Sequence, residues 1–311
     1  MKRIFEFMAV ILTVALAALG LTFWNINRDR TPVFFEVAGD IGEVKTISSR
    51  SSDTSEIREI SIQNTRGEFL VECWYRRPRV LSPNYRVLLV YSGVKTKDAV
   101  LDLIPDRPDV VLCAVQYPYQ RPLTFLEYVR WPRDVRRAAY RTVAGGFLAT
   151  TFLIEREKYD PSRLTLVGAS LGSIFGGIQG AIDSRIPRVL IVHGGGNFPV
   201  IARASPRLRE RGWPVRVSAW IGNQMFGSFD PVRYVGRIAP RELVVIATRN
   251  DLYFPPQSAL SLMDAAGEPK KIIWMESPHV RSEKSEVVNE IIRSINTYLF
   301  PDTAPSLLPR P

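Results

Sequence analysis

The chain has 311 residues, 46% of them hydrophobic and 23% charged, with 41 basic against 31 acidic side chains, two histidines and two cysteines. That balance excludes a disordered or low-complexity polypeptide, and two distant cysteines exclude a disulfide framework and a cysteine-rich zinc module. The net charge of +10 comes from 33 arginines and 8 lysines; no recognised nucleic-acid-binding motif accompanies it, so nucleic acid is not an expected partner.

In chain order, the first feature is apolar. Phe7 to Trp24 is a run of eighteen residues with nothing more polar than Thr13 and Thr22, preceded by Lys2 and Arg3. Residues 1–24 are read as a transmembrane helix acting as a signal anchor, with a cytoplasmic start and Trp24 at an interface. Membrane attachment through this helix is therefore expected, with the folded part on the extracytoplasmic side, such as a bacterial periplasm. Ala15-Leu16-Ala17 leaves a cleaved signal and a secreted product as the alternative. Residues 25–56, ending in the polar stretch Thr46 to Glu56, read as a linker.

The folded domain is expected over residues 57–300. Ile57 to Ile62 and Phe69 to Tyr75 flank the turn Asn64-Thr65-Arg66-Gly67-Glu68, a hairpin signal. Val87 to Tyr91 and Val110 to Val115 read as buried strands, and Pro132 to about Lys158 as a helix. Arg130, Arg133, Arg136, Arg137 and Arg141 cluster on and before that helix. Such a face suits anionic lipid headgroups, or is simply solvated.

The sharpest motif follows. Leu164-Thr165-Leu166-Val167 leads into Gly168-Ala169-Ser170-Leu171-Gly172, and Ser173 to Ala181 then reads as a helix with small residues on one face. A serine on a strand-to-helix turn needs small residues two before and two after it, because neighbouring backbone passes close. It also stands at a helix N-terminus, where free N–H groups favour developing negative charge. Downstream, Glu242 to Thr248 is an apolar strand followed by Asp251, and Lys271 to Met275 a short strand followed by His279. A helical pattern runs from about Glu283 to Phe300, and the proline-rich tail 301–311 reads as surface or disordered.

This G-x-S-x-G elbow, with an acid and then a histidine after later strands, resembles the α/β-hydrolase superfamily in its esterase, dienelactone-hydrolase and prolyl-oligopeptidase-like branch. The resemblance implies an α/β fold with a mostly parallel eight-stranded sheet flanked by helices. It implies a triad of Ser170, Asp251 and His279, with the backbone N–H groups of Val94 and Leu171 as the oxyanion hole. Asp230 is the reserve acid. His193-Gly194-Gly195-Gly196 spells an oxyanion motif known from lipases, but it lies after the nucleophile rather than before it; its glycines are read as letting the loop pass close to the site. Residues 197–239, holding Phe198, Trp213, Trp220, Met225, Phe226 and Phe229, occupy the place of a cap. The strands carrying Cys73 and Cys113 would be neighbours, so one disulfide and two buried thiols both remain open. The implied chemistry is hydrolysis of a carboxylic ester, small or lipid, without metal or organic cofactor. A peptidase and a catalytically silent membrane-tethered binding protein are the alternatives.

Overall fold

The computed structural model describes residues 2–93, 99–119, 125–210 and 214–279, together with Arg293 and Tyr298. Val94, Trp213, the tail and nearly all of the expected last helix lie outside the described residues.

One nine-stranded sheet organises the chain. Its strands are β1 (Ile41–Ser51), β2 (Ser55–Asn64), β3 (Leu70–Pro78), β4 (Arg86–Tyr91), β5 (Val110–Val115), β6 (Leu164–Ala169), β7 (Arg188–Val192), β8 (Glu242–Asn250) and β9 (Lys270–Pro278). They lie in the order β1-β2-β3-β5-β4-β6-β7-β8-β9. The three pairings from β1 to β5 are antiparallel, and those from β5 through β4 to β9 are parallel. The parallel strands are near-continuous runs of Val, Ile and Leu, as strands covered on both faces must be. Apolar side chains of alternate residues feed two separate cores, one on each face: Leu89, Val111, Leu166 and Val245 in one, Leu88, Leu112, Val167 and Val244 in the other.

The first core is covered by two long helices. α4 (Phe125–Thr151) brings Val143, Ala144, Phe147 and Leu148, and α5 (Gly172–Ile182) brings Phe175, Ile178 and Ala181. The opposite face is covered in part by α3 (Val100–Leu103) and by Tyr298. The insertion after β7 holds α6 (Phe198–Ala204), α7 (Pro206–Glu210) and α8 (Val215–Phe226), and α9 (Pro256–Ala265) follows β8. Its aromatics divide: Phe229 is buried in the main core against Tyr140, at a ring distance of 4.8 Å, whereas Trp220 is 53% exposed.

Three expectations change. The segment 25–56 is not a linker: it folds as α2 (Thr31–Ala38) and as β1, the ninth strand. Phe34 of α2 is fully buried, with its ring 5.3 Å from Tyr140 and 6.2 Å from Phe229. β1 escaped the sequence reading because from Lys45 onward it is polar and exposed, held by its backbone pairing to β2, with only Ile41 and Val44 packed on the core. The expected membrane segment does form a helix, α1 (Lys2–Asn27), but among the described residues no helix is long and apolar enough to cross a membrane. Cys73 and Cys113 do sit on the adjacent strands β3 and β5, as buried free thiols. Hydrogen bonding to Cys113 and burial push the Cys73 thiol well above its ordinary pKa.

Replacing Phe34 by alanine removes a buried ring from the junction of α2, α4 and the insertion. The expected loss is about 3–5 kcal/mol of stability, read as a lowered urea midpoint with an unchanged slope.

Candidate active site

The site is assembled where β6 turns into α5. Ser170 has φ 53°, in the left-handed region that a non-glycine residue rarely occupies. Two glycines make that turn possible. A Cβ on Gly172 would come within 2.1 Å of the Tyr91 carbonyl oxygen, and one on Gly168 within 2.7 Å of the Gly172 carbonyl. The Ser170 N–H donates to the Val192 carbonyl (2.9 Å), which fixes the elbow to the end of β7.

The three residues singled out from the sequence meet here. Ser170 Oγ donates to His279 Nε2 at 2.9 Å, and His279 Nδ1 donates to Asp251 Oδ2 at 2.6 Å. Asp251 is buried, and its second oxygen, Oδ1, accepts from the Tyr253 and Phe254 amides at 2.7 and 2.8 Å. Those two bonds leave Oδ2 facing the imidazole. The ends of β8 and β9 bring the pair together through a register irregularity: Thr248 faces Met275, but Asn250 faces Pro278. The Thr248 hydroxyl, donating to the Ser277 carbonyl, and Asn250 Nδ2, donating to the Glu276 carbonyl (3.1 Å), tie the two strand ends across it.

Of the oxyanion candidates, Leu171 stands at the N-terminal end of α5 beside the serine, as expected; Val94 lies outside the described residues. Ser92 and Gly93 leave β4 toward it, and the Ser92 carbonyl accepts from the Tyr117 hydroxyl. Asp230 does not approach His279 as a triad acid. Its carboxylate accepts from the amides of Asn197 (2.9 Å), Phe198 (2.6 Å) and Val232 (3.2 Å), so it fastens the start of α6 to the turn after α8.

His193 closes the back of the site. It is buried at φ 46°, its ring centroid 6.1 Å from that of His279. The following glycines thread a gap with no room for side chains: a Cβ on Gly194 would meet Ser173 at 2.1 Å, and one on Gly195 would meet Ser258 at 2.2 Å. Burial lowers the His193 pKa to about 4; the Asp251 carboxylate opposes that shift and His279 adds to it. The residue is therefore neutral at pH 7. His193, Asp251 and His279 offer ligand atoms within 4.8 Å of one another, close enough for one divalent ion. Such an ion would compete with the hydrogen bond that already joins Asp251 to His279.

Sequence reading missed the aromatic wall around the histidine. Tyr253 and Phe254 lie with ring centroids 5.1 and 5.8 Å from His279, the second nearly parallel to it. Their signal was their position two and three residues after Asp251.

No protein-family model matches the chain, and no curated protein does. Solved structures match along most of its length. Acetyl xylan esterase 1 from Thermoanaerobacterium sp. JW/SL YS485 is 15% identical with a TM-score of 0.58, over 88% of this chain and 94% of that one. The acetyl xylan esterase from Paenibacillus sp. R4 is 18% identical with a TM-score of 0.59, over 86% and 95%. A cold-adapted esterase from an Arctic intertidal metagenomic library is 17% identical with a TM-score of 0.53, over 81% and 96%. At these identities the likeness shows the fold, which is that of the α/β hydrolases.

Two predictions follow from this geometry. Gly172→Ala drives a methyl group into the Tyr91 backbone, so the elbow must shift; thermal melting is expected to fall by several degrees, with a loss of stability of about 1–3 kcal/mol. His193 makes stability depend on pH. Its unfolded-state pKa is near 6.5 and its native one about 4, so its contribution is complete above pH 6.5 and is lost as pH falls toward 4. The loss is on the order of 3 kcal/mol. Urea midpoints between pH 7 and 4.5 are expected to fall less steeply in His193→Gln than in the wild type.

Proposed function

We propose that this protein is a serine hydrolase that cleaves a carboxylic ester through an acyl-enzyme intermediate. One observation carries the reading: an unbroken hydrogen-bonded line from Ser170 Oγ through His279 to a buried Asp251, starting at a serine held in the left-handed region. Similarity in fold to acetyl xylan esterases adds support for an ester rather than another acyl compound.

The mechanism follows from these side chains. Ser170 Oγ attacks the ester carbonyl while His279 Nε2 takes its proton. Asp251 keeps the Nδ1–H tautomer and stabilises the imidazolium formed. Negative charge then develops on the carbonyl oxygen. The Leu171 amide and the loop after Gly93 are the proposed donors to it, each such donor being worth about 2.7–4 kcal/mol in the transition state. His279 returns the proton to the leaving alcohol, and a water activated by the same nitrogen releases the acid. Neutral His193 contributes no second cation beside the imidazolium.

Attachment to a membrane is the second part of the proposal. Along α1 the side chains of Phe5, Phe7, Val10, Leu12, Val14, Leu21 and Trp24 are all at least 60% exposed, an apolar surface that a bilayer interface would cover. The ester-cleaving domain would then work at a membrane surface.

Fluorophosphonate labelling of detergent-solubilised protein tests the first part. Wild type is expected to label at Ser170 and to hydrolyse short acyl esters, and Ser170→Ala to do neither. Asp251→Asn is expected to lower kcat by about 10,000-fold with the fold intact by circular dichroism. Correctly folded wild type that neither labels nor turns over esters overturns the reading.

A further inference from the structure

A cavity of about 850 Å3 opens beside α2, away from the triad. Its walls come from four elements: α2, the turn between β2 and β3, the first half of α4, and α8 through Met225. Five guanidinium groups line it, those of Arg66, Arg133, Arg136, Arg137 and Arg141, against two carboxylates, Glu36 and Glu68. Four of the arginines recur on one face of α4 at the three- and four-residue spacing that stacks side chains. The floor is apolar, with Val33 and Val37 from α2 and Phe69 from β3's approach.

The arginines fall into two kinds. Arg66 donates to the Glu36 carbonyl and stands 3.8 Å from Glu68, Arg136 donates to the Met225 carbonyl, and Arg141 lies over the Phe69 ring. These three are held in place by their neighbours. Arg133 and Arg137, one helical turn apart and exposed, form no ion pair with any described residue. A cationic rim over an apolar floor fits a ligand with a phosphate at one end and hydrocarbon behind it. The cavity also lies close in sequence to the apolar helix: three residues separate the end of α1 from α2, and α8, which contributes Met225, packs on α1.

We propose that this cavity binds the phosphate headgroup of an anionic phospholipid, so that α1 supplies attachment to a bilayer and the arginines make that attachment selective for negative charge. The proposal rests on the membrane attachment of α1 inferred above and is independent of ester chemistry. Arg133 and Arg137 are the adjustable contacts, each worth about fivefold in binding at an anionic surface.

The full-length protein is sedimented with vesicles of phosphatidylcholine alone and of phosphatidylcholine mixed with phosphatidylglycerol, at one ionic strength. Wild type is expected to bind both and to prefer the mixed vesicles. Arg133→Ala/Arg137→Ala is expected to lose about 25-fold on mixed vesicles, to bind phosphatidylcholine as wild type does, and to keep its turnover of a soluble ester. A control of equal charge, Arg50→Ala/Arg79→Ala at exposed positions on β1 and after β3, is expected to change binding by less than about twofold. Equal losses in the two double variants would show that net charge alone acts, and would overturn the cavity site. So would unchanged binding of the Arg133/Arg137 variant, an equal loss on neutral vesicles, or release of the bound protein by millimolar inorganic phosphate. Failure of wild type to bind either vesicle removes both this site and the attachment by α1, and leaves the ester reading to its own labelling test.

Discussion

The constraint on which the site depends is the contact between the first turn of α5 and the end of β4. Gly172 lies so near the Tyr91 backbone that no side chain fits between them, and Ser170, two residues earlier, leaves β6 in a left-handed conformation. Much of the structure serves to hold α5 in that position. Gly176 passes close to Gly168, Gly180 packs on Val189, and the Tyr91 hydroxyl donates to Gln179 Oε1 at 2.6 Å. Gln179 in turn donates to Thr150 of α4 (3.0 Å). At the far end, Arg241 donates to the carbonyls of Gly180, Asp183 and Ile186 at 2.7–2.9 Å, satisfying a helix terminus that would otherwise expose them. The small residues cost helix propensity of up to about 1 kcal/mol each. The close approach they permit is what aims the serine at the histidine.

Parallel strands explain why residues so far apart in sequence converge. In such a sheet every strand ends on the same side, so the loops after β6, β7, β8 and β9 share one rim. Ser170, His193, Asp251 and His279 each occupy the first positions beyond one of those strands. Their conformations are then set locally, by the paired amides on Asp251 and by the irregular register between β8 and β9. His193 shows how the same rim handles charge. A buried imidazole there stays neutral, so it places no positive charge beside His279.

Most of this was legible in the sequence because the informative signals are short-range. Val, Ile and Leu runs marked the parallel strands to within a few residues, and the spacing of Gly168, Ser170 and Gly172 marked the turn. Asp251 and His279 were readable because each directly follows such a run. What escaped lacks a local apolar pattern. β1 is mostly polar because only Ile41 and Val44 near its start reach the core, and α2 is too short to show helical periodicity, its one deeply buried ring, Phe34, being explained only by partners more than 100 residues away. The irregular register at the end of β9 and the role of Gln179 are tertiary facts with no sequence signature. Asp230 illustrates the opposite case, an acidic residue in a plausible place whose carboxylate is consumed by three backbone amides.

The polarity of β1 has a consequence for the behaviour of many copies crowded together. A strand at the border of a sheet presents unpaired backbone groups, and another chain can pair with them to start an intermolecular ribbon. Here that border carries Glu43, Lys45 and Arg50 among serines and threonines, and its ladder to β2 is interrupted by two irregularities in register. Charge on both faces and a broken ladder make the strand a poor template. If α1 does concentrate the protein on a bilayer, that border is where colliding neighbours would otherwise fuse their sheets.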